Sequence, residues 1–341
     1  MRELAEWEWG RGSGPADLGA SCEEWLARLG GPSLIRVPGT DRTRTRVVTT
    51  LLHGNEPSGL RALHRWLAEE PLPAVDALLF VGAVETALAP PGFAYRFLEG
   101  ATDFNRCWVP PHHGVEGERA REVLARLHDR PPECLVDLHN NTGWTPAYGV
   151  SPRLGSPERN LVALFTRRVI HMPIDLGTLC NATADAWPTV TIECGRAGDP
   201  KADEIALEGI ERLLSLERLP LNETPPDLEV IVDPVRVCVR DGVPLEFGEG
   251  PGLSPGLTIS HEIERHNFEW LEAGSCIGWV EPDCGWPLEA LGADDHDHSG
   301  DLFVIHEGRL ETRVAMIPTM MTTSREAALA DCLFYAGQPA R

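Results

Sequence analysis

The chain has 341 residues, 42% of them hydrophobic and 24% charged, enough apolar material for one substantial core and a smaller second one and too much for a disordered chain. A formal net charge of -22 argues against a nucleic-acid partner, which needs a basic face, and no apolar run is long enough to span a bilayer. Nine cysteines without a Cys-x-x-Cys pair do not form a disulfide framework or a structural zinc motif, and the single lysine, Lys201, leaves little room for Schiff-base chemistry.

At the N-terminus, from Met1-Arg2-Glu3 onward, Trp7 and Trp9 alternate with acids, the pattern of an edge strand with one packed face, and no signal-peptide core is present. A soluble, cytoplasmic protein is expected, with no membrane association. Strands are predicted near residues 33–37, 47–52, 77–84, 133–139 and 189–193. They alternate with helices near 59–69, 118–130, 158–170 and 201–218. This alternation predicts an α/β domain, a sheet with helices on both faces, over residues 1–220. Residues 220–226, Pro-Leu-Asn-Glu-Thr-Pro-Pro, read as a linker. Beyond it, residues 228–240, 257–263, 276–280, 301–306 and 310–317 read as short strands, with helical periodicity only at 324–336. A smaller β-rich domain is therefore expected over residues 226–341.

The chemistry concentrates at strand ends. Val47-Val48-Thr49-Thr50-Leu51-Leu52 is a buried-strand run that leads into His53-Gly54-Asn55-Glu56-Pro57, and Pro57 has the backbone angle of a helix's first turn. At such a strand-to-helix corner His53 and Glu56, three residues apart, can converge on one ion, and Gly54 permits close backbone approach. Cys134-Leu135-Val136-Asp137-Leu138 delivers His139 at the end of a second apolar strand, and Thr189-Val190-Thr191-Ile192 delivers Glu193 at the end of a third. The crevice beyond the carboxyl ends of strands is the usual ligand site of an α/β sheet. Two imidazoles and a carboxylate suit Zn²⁺, one ion per chain, and three protein ligands leave a position for water. Glu193 is placed to serve as general base, a role worth roughly 10²–10⁴ in rate.

Asp103-Phe104-Asn105-Arg106 lies between the ligand segments, with Arg96-Phe97 upstream. Asp103 can accept a proton from a ligand histidine and fix its tautomer. Asn105 and Arg106 form a fork for a carboxylate; the alternative is that Arg96 and Arg106 are surface arginines. Asp294-Asp295-His296-Asp297-His298 and His112-His113 are metal-ligand types but read as solvated loops, and His261-Glu262 stays open as a loop that could complete the pocket.

His53-Gly54-Asn55-Glu56, Asp103-Phe104-Asn105-Arg106, Asp137-Leu138-His139 and Thr191-Ile192-Glu193-Cys194-Gly195, in this order, resemble the succinylglutamate desuccinylase/aspartoacylase family, relatives of the zinc metallocarboxypeptidases. The resemblance spans about residues 47–214. It implies a mixed sheet of the zinc carboxypeptidase kind and a zinc-dependent amidohydrolase that releases an acyl group from a small, carboxylate-bearing N-acyl amino acid. By motif, His53, Glu56 and His139 resemble the zinc ligands, Glu193 the catalytic glutamate and Asp103 the partner of the first histidine. Arg96 resembles the arginine that polarises the scissile carbonyl, and Asn105 with Arg106 the substrate-carboxylate clamp. The segment Asn181-Ala182-Thr183-Ala184-Asp185-Ala186 has no basic residue where aspartoacylases carry an arginine, so the resemblance implies the machinery and leaves the substrate unnamed. A metallocarboxypeptidase-type peptidase and a non-catalytic zinc-binding interaction protein are the competing readings, and homo-oligomerisation stays open.

Overall fold

The structure, a computed structural model, describes residues 4–10, 15–252, 256–294 and 296–340; Met1, Arg2, Glu3 and Asp295 lie outside them. The chain divides into two compact units: residues 1–140, 147–169 and 175–228 form the first, and residues 141–146, 170–174 and 229–341 the second.

In chain order the first unit contains β1 (Ala5–Glu8), α1 (Pro15–Leu18), α2 (Cys22–Leu29), β2 (Ser33–Val37), β3 (Asp41–Thr50), α3 (Ser58–Ala68), β4 (Val75–Val81) and α4 (Val84–Leu88). There follow a 3-10 turn, Phe104–Arg106, then α5 (Gly114–Asp129), β5 (Cys134–Asn141), β6 (Tyr148–Ser151), α6 (Ser156–Ala163), β7 (Arg168–His171), α7 (Leu179–Thr183), β8 (Thr189–Arg196) and α8 (Pro200–Ser215). Its strands lie in the order β1-β2-β4-β3-β5-β8-β6-β7. The sheet is mixed: β3 runs parallel to β4 and β5, whereas β2 is antiparallel to β4 and β6 to β8. β1 is an edge strand, as expected, but of the two tryptophans only Trp9, just beyond it, is buried, while Trp7 is exposed.

Strand alternation sorts the helices onto two faces. Val47, Leu78, Phe80 and Leu135 point to the face covered by Ala120, Val123 and Leu127 of α5. Their neighbours Thr50 and Leu138 point the other way and meet Gly59 of α3, where a Cβ would lie 2.2 Å from the Thr50 hydroxyl and 2.8 Å from the Leu138 Cβ. α3 packs in turn on α8. Register pairs Thr50 with Leu138 and with Val81, so the chain beyond Thr50 and the residue His139, within β5, lie at the same end of the sheet.

Several elements differ from expectation: the strand expected to reach Val84 ends at Val81, and α1, β6 and α7 fall where no element was predicted. The helix expected over 158–170 stops at Ala163, because Val169 and Ile170, β-branched and fully buried, are taken into β7. α2 was not anticipated, although Ser21 and Glu24 carry its signal: the Ser21 hydroxyl caps the Glu24 N–H at 3.3 Å, and Gly30 closes the helix in a left-handed conformation.

The second unit contains β9 (Glu229–Val239), β10 (Leu245–Gly248), β11 (Leu257–Ser260), β12 (Cys276–Val280), β13 (Leu288–Leu291), α9 (Ser299–Leu302), β14 (Phe303–His306), β15 (Arg309–Thr312), β16 (Ile317–Thr319), α10 (Arg325–Ala330) and β17 (Phe334–Pro339). β9 is flanked by β13 and β17, and β17 by β16; β10-β11-β12-β15-β14 form a separate five-stranded sheet. The helix expected to run to residue 336 gives way after Ala330, since Phe334 and Tyr335 pair with Val237 and Arg236 of β9. Residues His261–His266 form a 3-10 turn capped by the Ser260 hydroxyl. The segment 141–146 is clamped within this unit: Glu264 accepts the Trp144 N–H, and the Asn267 carboxamide donates to the Trp144 carbonyl.

Candidate active site

His53 and Glu56 reach the carboxyl end of the sheet through a strained corner. After β3 the chain passes through Leu51, fully buried with a left-handed backbone (φ 58°), a conformation that costs a non-glycine residue about 1–3 kcal/mol and must be held by its surroundings. Gly54 then sits where a Cβ would lie 2.5 Å from the Thr86 side chain and 2.8 Å from the Tyr95 carbonyl, and its N–H donates to the Arg96 carbonyl at 3.0 Å. The corner therefore docks against the loop that carries Arg96. Pro57 leads into α3, so Glu56 is fixed by the helix that follows it.

Donor atoms of His53, Glu56 and His139 all lie within 4.8 Å of one another, and all three residues are buried. Glu56 stands between the two rings: Oε1 is 2.8 Å from His53 Nδ1 and Oε2 is 2.7 Å from His139 Nδ1. The outer nitrogens are each held by an aspartate. His53 Nε2 is 2.9 Å from Asp103 Oδ1, and His139 Nε2 is 2.8 Å from Asp137 Oδ2. Both rings thus turn Nδ1 inward with Nε2 backed by a carboxylate, the arrangement that fixes the tautomer of metal-binding histidines. Burial alone would raise the Glu56 carboxyl, but His53 and His139 outweigh it and hold it well below the carboxylate range. Burial would lower the His139 imidazolium; Asp137 and Glu56 reverse this and raise it well above its ordinary value. Three carboxylates, of Glu56, Asp103 and Asp137, gathered about two imidazoles make a site suited to a cation. Among the described residues no other group of His, Cys, Asp and Glu side chains converges in this way.

Asp103 was expected to back the first histidine, and its carboxylate also takes the Asn105 N–H at 2.8 Å and Arg96 Nε at 2.9 Å. Burial works against its charge, but His53, then Arg96 and Arg106, keep its carboxyl far below the usual range. Phe104 anchors this turn: it stacks on fully buried Trp108 with centroids 5.4 Å apart and meets Phe80 edge-on, contacts worth about 0.5–1.5 kcal/mol each beyond burial. Asn105 is buried, its carboxamide oxygen taking the Leu179 N–H at the start of α7 (3.0 Å) and its nitrogen 3.4 Å from His139 Nε2. Arg106 is partly exposed and donates to the Asn105 carbonyl at 3.0 Å. Arg96 is one-third exposed, with Nη1 4.0 Å from Glu56 Oε1, between exposed Tyr95 and Phe97.

Glu193 lies on β8, next to β5. The Leu135 N–H bonds the Pro188 carbonyl near the start of both strands, and the Asn140 carboxamide bonds the Gly195 carbonyl near their ends, so the strands run side by side in one direction. In parallel strands that first bond sets Leu135 opposite Thr189, so His139 falls opposite Glu193, four residues further on, and the two share a face. The neighbouring Cys194 thiol is pushed well up by burial, with Glu193, Asp203 and Glu56 adding to it.

Two participants escaped the sequence reading. Asp137 precedes His139 by two residues on a strand, the spacing that puts two side chains on one face, and that was the available signal. Asn140 follows His139 and was given no role, because its partners are remote in sequence. The other histidine-rich segments do not gather: His112 Nδ1 bonds the Cys107 carbonyl, and half-buried His298 bonds Asp294. All nine cysteines are free. No described helix is long and apolar enough to cross a membrane.

The fold is that of solved structures in the aminoacylase and desuccinylase class. The crystal structure of murine aminoacylase 3 superposes with a TM-score of 0.56 at 18% identity, covering 89% of this chain and 97% of its own. A succinylglutamate desuccinylase/aspartoacylase from Rhodobacter sphaeroides gives 0.56 at 14%, covering 90% and 88%. Succinylglutamate desuccinylase from Vibrio parahaemolyticus gives 0.57 at 15%, covering 90% and 86%. At these identities the likeness establishes the α/β architecture with its additional β sheet. No protein-family model matches the sequence, and no curated protein does.

Proposed function

We propose that the protein belongs to the succinylglutamate desuccinylase/aspartoacylase family and is a zinc-dependent amidohydrolase that cleaves the amide of a small N-acyl amino acid. The observation that carries this reading is the Glu56 carboxylate set between the Nδ1 atoms of His53 and His139, with Asp103 and Asp137 behind the rings. The fold shared with aminoacylase 3 and the desuccinylases supports it. His53, Glu56 and His139 would hold one Zn²⁺, a donor set of the type found in catalytic sites. A zinc ion there supplies Lewis acidity, lowering the pKa of a bound water to roughly 7 and polarising a carbonyl.

The chain's own groups do the rest. Glu193 takes the proton of the attacking water and returns it to the leaving nitrogen, which must depart as an amine. Arg96, beside Glu56 and steadied by Asp103, faces the carbonyl oxygen as negative charge develops on it. Arg106, with Asn105, binds the substrate carboxylate. In a chain of net charge -22 no long-range attraction draws an anion in, so that contact must be local.

The test is hydrolysis of a panel of N-acyl amino acids, and of peptides with free C-termini, alongside zinc content by atomic spectroscopy. We expect about one zinc per chain, release of free amino acid from one or more N-acyl substrates, and loss of activity on chelation. Cleavage of peptides alone would replace the reading with a carboxypeptidase; full zinc without hydrolysis of either class would leave a binding protein.

A further inference from the structure

Asn140 is buried, 4% exposed, and its polar atoms are spent on two separate stretches of chain, residues 56–58 and Gly195. Its N–H donates to Glu56 Oε2 at 3.3 Å. Its carboxamide oxygen accepts the Ser58 N–H at 3.0 Å, one of the otherwise unpaired amides at the start of α3. Its carboxamide nitrogen donates to the Ser58 hydroxyl and to the Gly195 carbonyl, each at 3.0 Å. Ser58 passes the network on to Asp203 of α8 through its hydroxyl. Gly195, two residues past Glu193, has φ 119°, a conformation side-chain-bearing residues rarely adopt.

Three residues of the proposed reaction centre, Glu56, His139 and Glu193, lie at or within two positions of these contacts. Asn140 adjoins His139, Ser58 is two residues from Glu56, and Gly195 is two from Glu193. We infer that Asn140 is a positioning residue: it sets the spacing between the Glu56–His139 pair and the strand that carries Glu193, and so couples the ligand set to the general base. This rests on the proposed zinc amidohydrolase activity. Only a carboxamide does the work. An aspartate keeps the size and the acceptor but loses both donors, and would place a carboxylate against the Gly195 carbonyl and the Ser58 oxygen.

The test compares wild type, Asn140→Asp, Asn140→Ala and Ser58→Ala for zinc affinity by chelator competition, for kcat and KM, and for Tm. Asn140→Asp and Asn140→Ala are expected to weaken zinc binding by roughly 10–100-fold, the usual size of losing a group that orients a metal ligand, and to lower kcat with KM within about threefold. Ser58→Ala, which removes one of Asn140's partners and leaves Asn140 in place, should lose less of each. Should the Asn140 variants fail to fold, Ser58→Ala decides alone: zinc affinity and kcat unchanged from wild type overturn the inference, and a fall in either upholds it. A drop in Tm with zinc affinity and kcat both intact makes Asn140 purely structural and likewise overturns it. If wild type binds no zinc, the amidohydrolase reading falls and takes this one with it; if wild type binds zinc and the variants bind equally well at unchanged kcat, only this one falls.

Discussion

Asp137 holds the ring of His139 from the same strand, two residues upstream, at 2.8 Å. Its other oxygen accepts the hydroxyl of Thr49 from the adjacent strand β3, so the imidazole is oriented by a carboxylate that is itself oriented. His53 is backed differently, by Asp103 from a separate turn. Asp137→Ala is expected to leave zinc bound roughly 10–100-fold more weakly, by chelator competition, and Asp103→Ala to fall in the same range. An affinity equal to wild type in either variant would reduce that aspartate to a packing role.

His53→Ala and His139→Ala each remove one of the three converging donors. Zinc content measured on purified protein should fall from about one per chain to near zero, with hydrolysis lost in parallel. Full occupancy in either variant contradicts the ligand assignment.

Chemistry and substrate binding separate at Glu193 and Arg106. Glu193→Gln keeps size and hydrogen bonding but cannot take up a proton, so kcat should drop at least about 10²-fold with zinc retained. Arg106→Ala should act chiefly on KM, through loss of a carboxylate contact. Steady-state kinetics on the best substrate of the panel would show a near-normal kcat in the first, or an untouched KM in the second, if these roles are misassigned.

Gly59 allows a structural check with no catalytic assumption. A Cβ there would meet the Leu138 Cβ at 2.8 Å and Thr50 atoms at 2.2 and 2.9 Å, all on or close to rigid strand backbone. Gly59→Ala is expected to cost about 1–3 kcal/mol, read from denaturant unfolding, despite the better helix propensity of alanine. Unchanged or increased stability would mean that α3 can move off the sheet freely.

The site's outline was legible because its residues close runs that are unambiguous by themselves: Val47 to Leu52 before His53, and Cys134 to Leu138 before His139. The alternation of strands and helices gave the fold for the same reason. Asp137 stayed hidden inside an apolar run that reads as core, although the two-residue spacing to His139 pointed to it. Asn140 could not have been found, since it bonds Ser58 and Gly195, 82 and 55 residues away, and only the sheet order brings β5 beside β8. The end of α6 was misread because Val169 and Ile170 fit a helical stripe as well as a buried strand, and pairing decides between them.

The packing of Gly54 separates positions that can vary from positions that cannot. A side chain at Gly54 would strike the Thr86 side chain and the Tyr95 carbonyl and displace the whole corner, so a randomised library there would return inactive clones. Tyr95 and Phe97, on the same loop but 43% and 40% exposed, carry side chains that can be exchanged without moving that backbone. Variation of this loop would therefore begin at these two aromatic positions, with the glycine left alone.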